Sequence, residues 1–300
     1  MLYSPLRYPG GKNRLSSFIA KVCIDNKIHG HYVEPYAGGA AVALLLLLDG
    51  YVKRITINDK DRSIYAFWHS VLYNCESLCG LIDKTEITIS NWTAQREVQD
   101  NKENAALLDL GFSTLFLNRT NRSGIISAGC IGGKNQAGSY RIDCRFNKEE
   151  IKKRIRLIAK NKDAISLYNL DAPILIDMIQ SESNSTDTIF YFDPPYYLKA
   201  ESLYLNHYKD DDHRLISEKI KGVKNVHWIV SYDDHMFIDG LYSNFPKKRY
   251  SFNHSAASAR EGREILIFSE RLNQPEIEDY IPTNFHILKS GLRTSIIYRK

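Results

Sequence analysis

Tyr32-Val33-Glu34-Pro35-Tyr36-Ala37-Gly38-Gly39-Ala40 starts as a short strand-like run, passes through a glycine turn and enters the apolar stretch Ala40 to Leu48. The order reads as strand, turn, buried helix. The glycines let the backbone turn sharply and come close to a ligand. The start of the helix leaves unpaired N–H groups facing outward. A turn of this kind at the carboxyl edge of a parallel sheet is where α/β folds hold nucleoside-like ligands. Glycine turns between strand and helix are common, so this one gains weight only from what surrounds it.

Working outward, Arg54-Ile55-Thr56-Ile57 reads as the next strand, ending at Asn58-Asp59, and Ser63 to Asn74 reads as a helix. Ala164 to Tyr168, Thr188 to Phe192, His227 to Ser231 and Glu264 to Phe268 are further strand-like runs. Apolar strands separated by helices predict an α/β fold with a parallel-type sheet covered on both faces. Asp59 stands 20 residues after Gly39. At that spacing a nucleotide-binding unit places an acid on ribose hydroxyls. A turn or helix cap is the competing reading for Asp59, and Asp61 is equally suited to it.

The stretch from about Cys75 to Asn161 breaks this rhythm. It is more polar and holds two glycine loops, Arg122-Ser123-Gly124 and Gly132-Gly133-Lys134. Asn118 to Lys160 carries eleven Lys/Arg against three Asp/Glu, in a chain whose whole net charge is +5. The remainder is therefore net negative, and the basic excess is local. A local basic patch is the electrostatic footprint of polyanion binding, although Lys148 to Lys160 also fits a solvated helix face. The expected organisation is a catalytic domain of residues 1–74 and 162–300 with an inserted, mainly helical domain at 75–161.

Asp193-Pro194-Pro195-Tyr196, directly after the strand ending at Phe192, is the most specific signal. Two prolines make a rigid corner that cannot continue the strand. The corner holds a carboxylate beside a backbone carbonyl, and Tyr196 offers a flat ring. Such groups suit an exocyclic amine, whose lone pair is delocalised into its ring. Two acceptors that take both N–H bonds favour a pyramidal nitrogen aimed at a methyl donor, helped by orientation and fixed dipoles. Near the start, Gly10-Gly11-Lys12 lacks the frame of a nucleoside-triphosphate loop. Its lysine, with Tyr8 nearby, fits a ligand carboxylate instead.

Other classes fit poorly. The longest apolar run is far short of the ~20 residues of a membrane span, and no secretory pattern opens the chain, so a cytoplasmic location is expected. The five cysteines are scattered without a Cys-x-x-Cys pair, so reduced thiols and no metal site are expected. None follows a proline, which argues against a thiolate attacking a pyrimidine ring.

In their order, Tyr8-Pro9-Gly10-Gly11-Lys12, Glu34 to Gly38, Asp59 and Asp193 to Tyr196 resemble the Dam-like, adenine-specific class I DNA N6-adenine methyltransferases. Leu117-Asn118-Arg119-Thr120, Arg145-Phe146-Asn147 and Ser231-Tyr232-Asp233 extend the resemblance, which covers most of residues 1–270. It implies a Rossmann-like S-adenosylmethionine-dependent fold with a target-recognition insert. It also implies that Tyr8, Gly10, Gly11, Lys12, Glu34, Pro35, Tyr36, Gly38, Asp59, Asp171 and Asp193 bind S-adenosylmethionine. Asp193, Pro194, Pro195 and Tyr196 would act on a flipped adenine. Asn118, Arg119, Arg122, Lys134, Arg141 and Arg145 would meet DNA. Tyr204 and Tyr208 follow the corner on a polar loop that either closes over the flipped base or packs on a helix start.

The sequence departs from that family at Tyr8, usually Trp, and in its long glycine-rich loop Ile125 to Tyr140; the tail from Pro282 to Lys300 carries no part of the resemblance. Cytosine N4 methylation, which typically uses Ser in place of Asp193, and a non-catalytic DNA-binding module on the same fold stay open as alternatives. Protein-glutamine and RNA-adenine methyltransferases usually carry Asn before the prolines. The expected partner is double-stranded DNA, without a membrane, and the expected state is a monomer. A cognate restriction endonuclease is left open.

Overall fold

The computed structural model describes residues 3–7, 12, 15–182, 186–198, 208–253 and 261–276. Tyr8, Gly10, Gly11, Tyr204 and the tail after Pro282 lie outside them. The chain runs α1 (Ser16–Asp25), β1 (His31–Glu34), α2 (Ala41–Leu48), β2 (Arg54–Asn58) and α3 (Arg62–Tyr73). Next come α4 (Cys75–Lys84), α5 (Ile89–Asp100), α6 (Leu107–Thr120) and α7 (Lys148–Ala159), with no strand among them. β3 (Ile165–Tyr168), α8 (Ala172–Glu182), β4 (Thr188–Phe192), α9 (Asp210–Lys221), β5 (His227–Asp233), α10 (Met236–Leu241), β6 (Lys247–Asn253) and β7 (Glu261–Phe268) follow.

The fold is mixed α/β with one seven-stranded sheet in the order β3-β2-β1-β4-β5-β7-β6. Its first five strands follow the doubly wound order of Rossmann-like folds. The expectation of a parallel-type sheet holds for β1, β4 and β5 and fails at one edge. β7 runs antiparallel to β5, and β6 antiparallel to β7. β6 opens with Lys247-Lys248-Arg249, charges that suit an edge strand and hide its strand character in the sequence.

The chain divides into two compact units. One holds residues 1–11, 37–44 and 56–171; the other holds 12–36, 45–55 and 172–300. In the first, α3 packs on α6, and α5 on α6. Gly111 permits the α3–α6 approach, since a Cβ there would lie 2.5 Å from the Ala66 carbonyl. Phe67, Trp68, Leu115 and Phe116 form the core of this packing. In the second unit, β4 is buried at every residue because it lies between β1 and β5. This double burial explains its continuous Thr-Ile-Phe-Tyr-Phe run.

Candidate active site

In the second unit, β4 ends where Pro194 interrupts the ladder. The register pairs Phe192 with Val230, so Asp193 leaves the strand beside Ser231. The Ser231 hydroxyl donates to Asp193 Oδ1 at 2.8 Å and accepts from the Tyr191 hydroxyl at 3.0 Å. Lys12 Nζ lies 3.2 Å from the same Oδ1. Among the described residues neither contact falls on Oδ2. Burial raises the Asp193 carboxyl above the usual aspartate range; Lys12 opposes the rise and Glu264 adds to it.

Lys12 is held by a second carboxylate as well. Its ammonium donates to Glu264 Oε2 at 3.0 Å and to the Tyr196 hydroxyl. Tyr196 donates in turn to Glu264 Oε1 at 2.7 Å, and Tyr250 donates to Oε2. Burial penalises the ammonium, but the field of Asp193, the neighbouring phenols and Glu264 overcomes that cost and holds Lys12 well above the ordinary lysine range. Tyr196 is buried with its hydroxyl committed to this network.

Beyond the corner, the Asp233 carboxylate accepts from the backbone N–H of Tyr197 at 2.9 Å and of Leu198 at 2.7 Å. Tyr197 stacks on His235 and Phe237, at 4.5 and 4.8 Å between centroids. Glu34 is buried at the end of β1 and accepts from the Tyr32 hydroxyl; Pro35 is buried beside it. Tyr36 meets Tyr208 hydroxyl to hydroxyl at 2.9 Å, with the rings edge to face.

The first unit holds the glycine turn. Gly38 adopts φ +46°, a left-handed value that suits glycine. Its N–H donates to Asp59 Oδ2 at 2.9 Å, and its carbonyl accepts from the Trp68 indole at 2.9 Å. Asp59 Oδ1 accepts from the Asp61 N–H at 2.9 Å, and Asp61 caps α3 by accepting from Ser63. Burial and the charge of Asp61 push the Asp59 carboxyl up to about 7, against the pull of those two amides. Asn58 bonds both ways with Leu170, which brings the turn carrying Asp171 to the end of β2. Asp171 itself is half-buried and pairs with Lys60 at 2.7 Å.

The candidate DNA-contacting residues separate into two groups. Asn118 is buried and fully engaged: it accepts from the Arg7 N–H and donates to the carbonyls of Arg7 and Gly124, each at 2.7 Å. Arg119 donates to the Pro5 carbonyl at 2.7 Å, and burial with nearby arginines lowers its pKa to about 10. Arg122, Lys134, Arg141 and Arg145 are exposed. Asn121, beside Asn118, accepts from the Trp92 indole and donates to the carbonyls of Ile125 and Ile126. The two asparagines therefore shape the loop from which Arg122 projects.

The pattern of the family described as D12 class N6 adenine-specific DNA methyltransferase matches residues 8–256. The chain belongs to this family. The methyltransferase is also similar to the type II methyltransferase M.MjaIII of Methanocaldococcus jannaschii, at 24% identity over 205 residues, 64% of this chain and 68% of that one. Two solved structures of the rRNA methyltransferase aviRa from Streptomyces viridochromogenes align over 92% and 87% of the methyltransferase and over 90% and 85% of their own chains. Their TM-scores are 0.36 and 0.37, with 10% and 9% identity.

Sequence reasoning did not single out Glu264, Tyr250 or Trp68 in the methyltransferase. Glu264 gave no clear signal, because it follows Glu261-Gly262-Arg263 at the charged start of β7 and its burial shows only in the fold. Tyr250 lies on the charged edge strand, and Trp68 reads as ordinary helix core. Among the described residues, no group of three or more His, Cys, Asp or Glu could hold a metal, and no helix is long and apolar enough to cross a membrane.

Proposed function

We propose that this DNA adenine methyltransferase takes its methyl group from S-adenosylmethionine and acts on adenine extruded from double-stranded DNA. The observation that carries the reading is Asp193. Its carboxylate is fixed through Oδ1 by both Ser231 and Lys12, and neither of these contacts takes Oδ2. The Asp193 carboxylate and the Pro194 carbonyl accept the two N–H bonds of the target amine. This turns the nitrogen lone pair out of the ring plane, and fixed acceptors do so with no reorganisation at the moment of transfer.

S-adenosylmethionine, when bound, supplies an electrophilic methyl on sulfur. The donor set of the chain fits it. Gly38 and Asp61 each use one lone pair of the Asp59 carboxylate, and a carboxylate has about four acceptor sites. The remainder suit a ribose diol. Lys12 keeps its proton and holds Asp193 as an acceptor. Asp193, with its raised pKa, takes the amine proton once the new C–N bond has formed. Arg122, Lys134, Arg141 and Arg145 supply charge to the DNA backbone. A cytoplasmic, monomeric enzyme goes with this substrate.

The test uses purified protein, labelled S-adenosylmethionine and duplex DNA, with the product digested to nucleosides and weighed by mass spectrometry. N6-methyldeoxyadenosine is expected, and 2-aminopurine at the target should brighten on binding as it leaves the stack. N4-methyldeoxycytidine, or no methylated nucleoside, would overturn the reading. Calorimetry with S-adenosylmethionine separates an enzyme from a DNA-binding module, which would show no heat.

A further inference from the structure

β5, β7 and β6 lie side by side, and the antiparallel registers pair Asp233 with Glu264 and Glu264 with Tyr250. Directly opposed residues in antiparallel strands face the same side of a sheet. The three side chains therefore make one rung. All three reach the Asp193 corner or its supports. Asp233 takes the N–H groups of Tyr197 and Leu198, Glu264 takes Tyr196 and Lys12, and Tyr250 completes Glu264.

We propose that Glu264 is a positioning residue for methyl transfer, the shared acceptor that fixes Lys12 and Tyr196 and through them the Asp193 carboxylate. Glu264 is 96% buried in its side chain, the most enclosed member of its ion pairs. A buried carboxylate without partners is expensive, and Glu264 has three donors to satisfy it. One of those donors is the tyrosine of the corner. Another is the lysine that reaches Asp193. Glu264 thus ties the two ends of Asp193-Pro194-Pro195-Tyr196 to one point on β7. Among the described residues, the charged groups facing Asp193 are Lys12 and Glu264, with Tyr191, Tyr196, Tyr232 and Ser231 as hydroxyl neighbours. Removing the Glu264 charge takes a repulsion away from Asp193 and leaves Lys12 to it alone.

This inference rests on Asp193 as the amine acceptor, so the experiment tests the two separately. Glu264→Gln keeps the shape and removes the charge. The single-turnover methylation rate should fall about a hundredfold, the scale of a small misplacement at a reacting centre. Affinity for S-adenosylhomocysteine by calorimetry and for duplex DNA should stay near wild type. The acid limb of the pH–rate profile should move to lower pH. Tyr196→Phe should lose rate as well, and the double variant should fall short of the product of the two losses, since the residues act as a unit.

A wild-type rate and pH profile in Glu264→Gln, or multiplicative losses in the double variant, would overturn the role. If Glu264→Gln loses its fold, Tyr196→Phe and Tyr250→Phe answer the same question: each should slow transfer without weakening S-adenosylhomocysteine binding, and unchanged rates in both overturn the role. Asp193→Asn should be inactive; near-normal turnover there overturns the acceptor reading itself. An inactive Asp193→Asn beside an unimpaired Glu264→Gln removes the Glu264 role alone.

Discussion

Ser231 stands between the buried Tyr191 phenol and Asp193, accepting from one at 3.0 Å and donating to the other at 2.8 Å. The donation lowers the Asp193 pKa against the burial that raises it. Ser231→Ala should therefore raise that pKa further and move the acid limb of the pH–rate profile to higher pH. It should also strand the Tyr191 hydroxyl, at a cost of about 1–3 kcal/mol in a urea melt. An acid limb that stays put would separate Asp193 ionisation from the rate.

Asp59 gives a second pH signature. Burial first, and then Asp61, raise its carboxyl from 3.8 to about 7. Between those values the folded chain keeps a proton that the unfolded chain has released. Stability contributed by this group therefore falls as pH rises from about 4 to about 7 and is level above, by less than about 1.4 kcal/mol per pH unit. Asp59→Asn should remove that part of the slope in melts across this range. Binding of S-adenosylhomocysteine should weaken below about pH 7 in the wild type, as Asp59 takes up its proton, and stay flat in the variant. Equal slopes in both proteins would detach Asp59 from the ligand.

Much of the fold was legible because the central strands announce themselves. Thr188-Ile189-Phe190-Tyr191-Phe192 is apolar on both faces, and only a strand buried on both sides needs that. The Asp193 corner was legible because Pro-Pro restricts the backbone whatever surrounds it. β6 was not, since its lysines mimic a solvated loop. Glu264 was not singled out because its importance comes from Lys12, 252 residues away in sequence, and pairing over that distance leaves no local pattern. Asn118 enters the DNA-contacting set through the resemblance carried by Leu117-Asn118-Arg119-Thr120. Its three backbone partners lie at Arg7 and Gly124, which no spacing rule connects.

Trp68 and Gly38 allow a test of the glycine turn that leaves the chemistry alone. The indole N–H is buried and donates to the Gly38 carbonyl. Trp68→Phe should leave that carbonyl without its donor and should cost about 1–3 kcal/mol beyond the lost ring volume. Gly38→Ala should add the strain of a left-handed alanine, about 1–2 kcal/mol. Both should weaken S-adenosylhomocysteine in proportion to the distortion of the turn, read by calorimetry beside the melts. An unchanged affinity in both variants would mean the turn holds no ligand.

The separation of Asn118 and Arg119 from Arg122, Lys134, Arg141 and Arg145 predicts two different phenotypes in one sequence segment. Exposed cations that meet phosphates release counterions, so removing one such cation should shallow the slope of log affinity against log salt by about 0.9. Changing the four exposed residues singly to Gln should weaken DNA binding in this way without moving the melting curve. Lys134, 5.9 Å from the Trp92 ring, has little to hold it to the protein and should behave like the others. Asn118→Ala should do the reverse. It unties Arg7 and Gly124, leaving two carbonyls and one N–H unpaired at about 1–3 kcal/mol each where they stay buried, while the salt slope of whatever still folds is unchanged. If instead Asn118→Ala shallows the slope and the exposed arginines do not, the DNA-facing surface lies elsewhere on the chain.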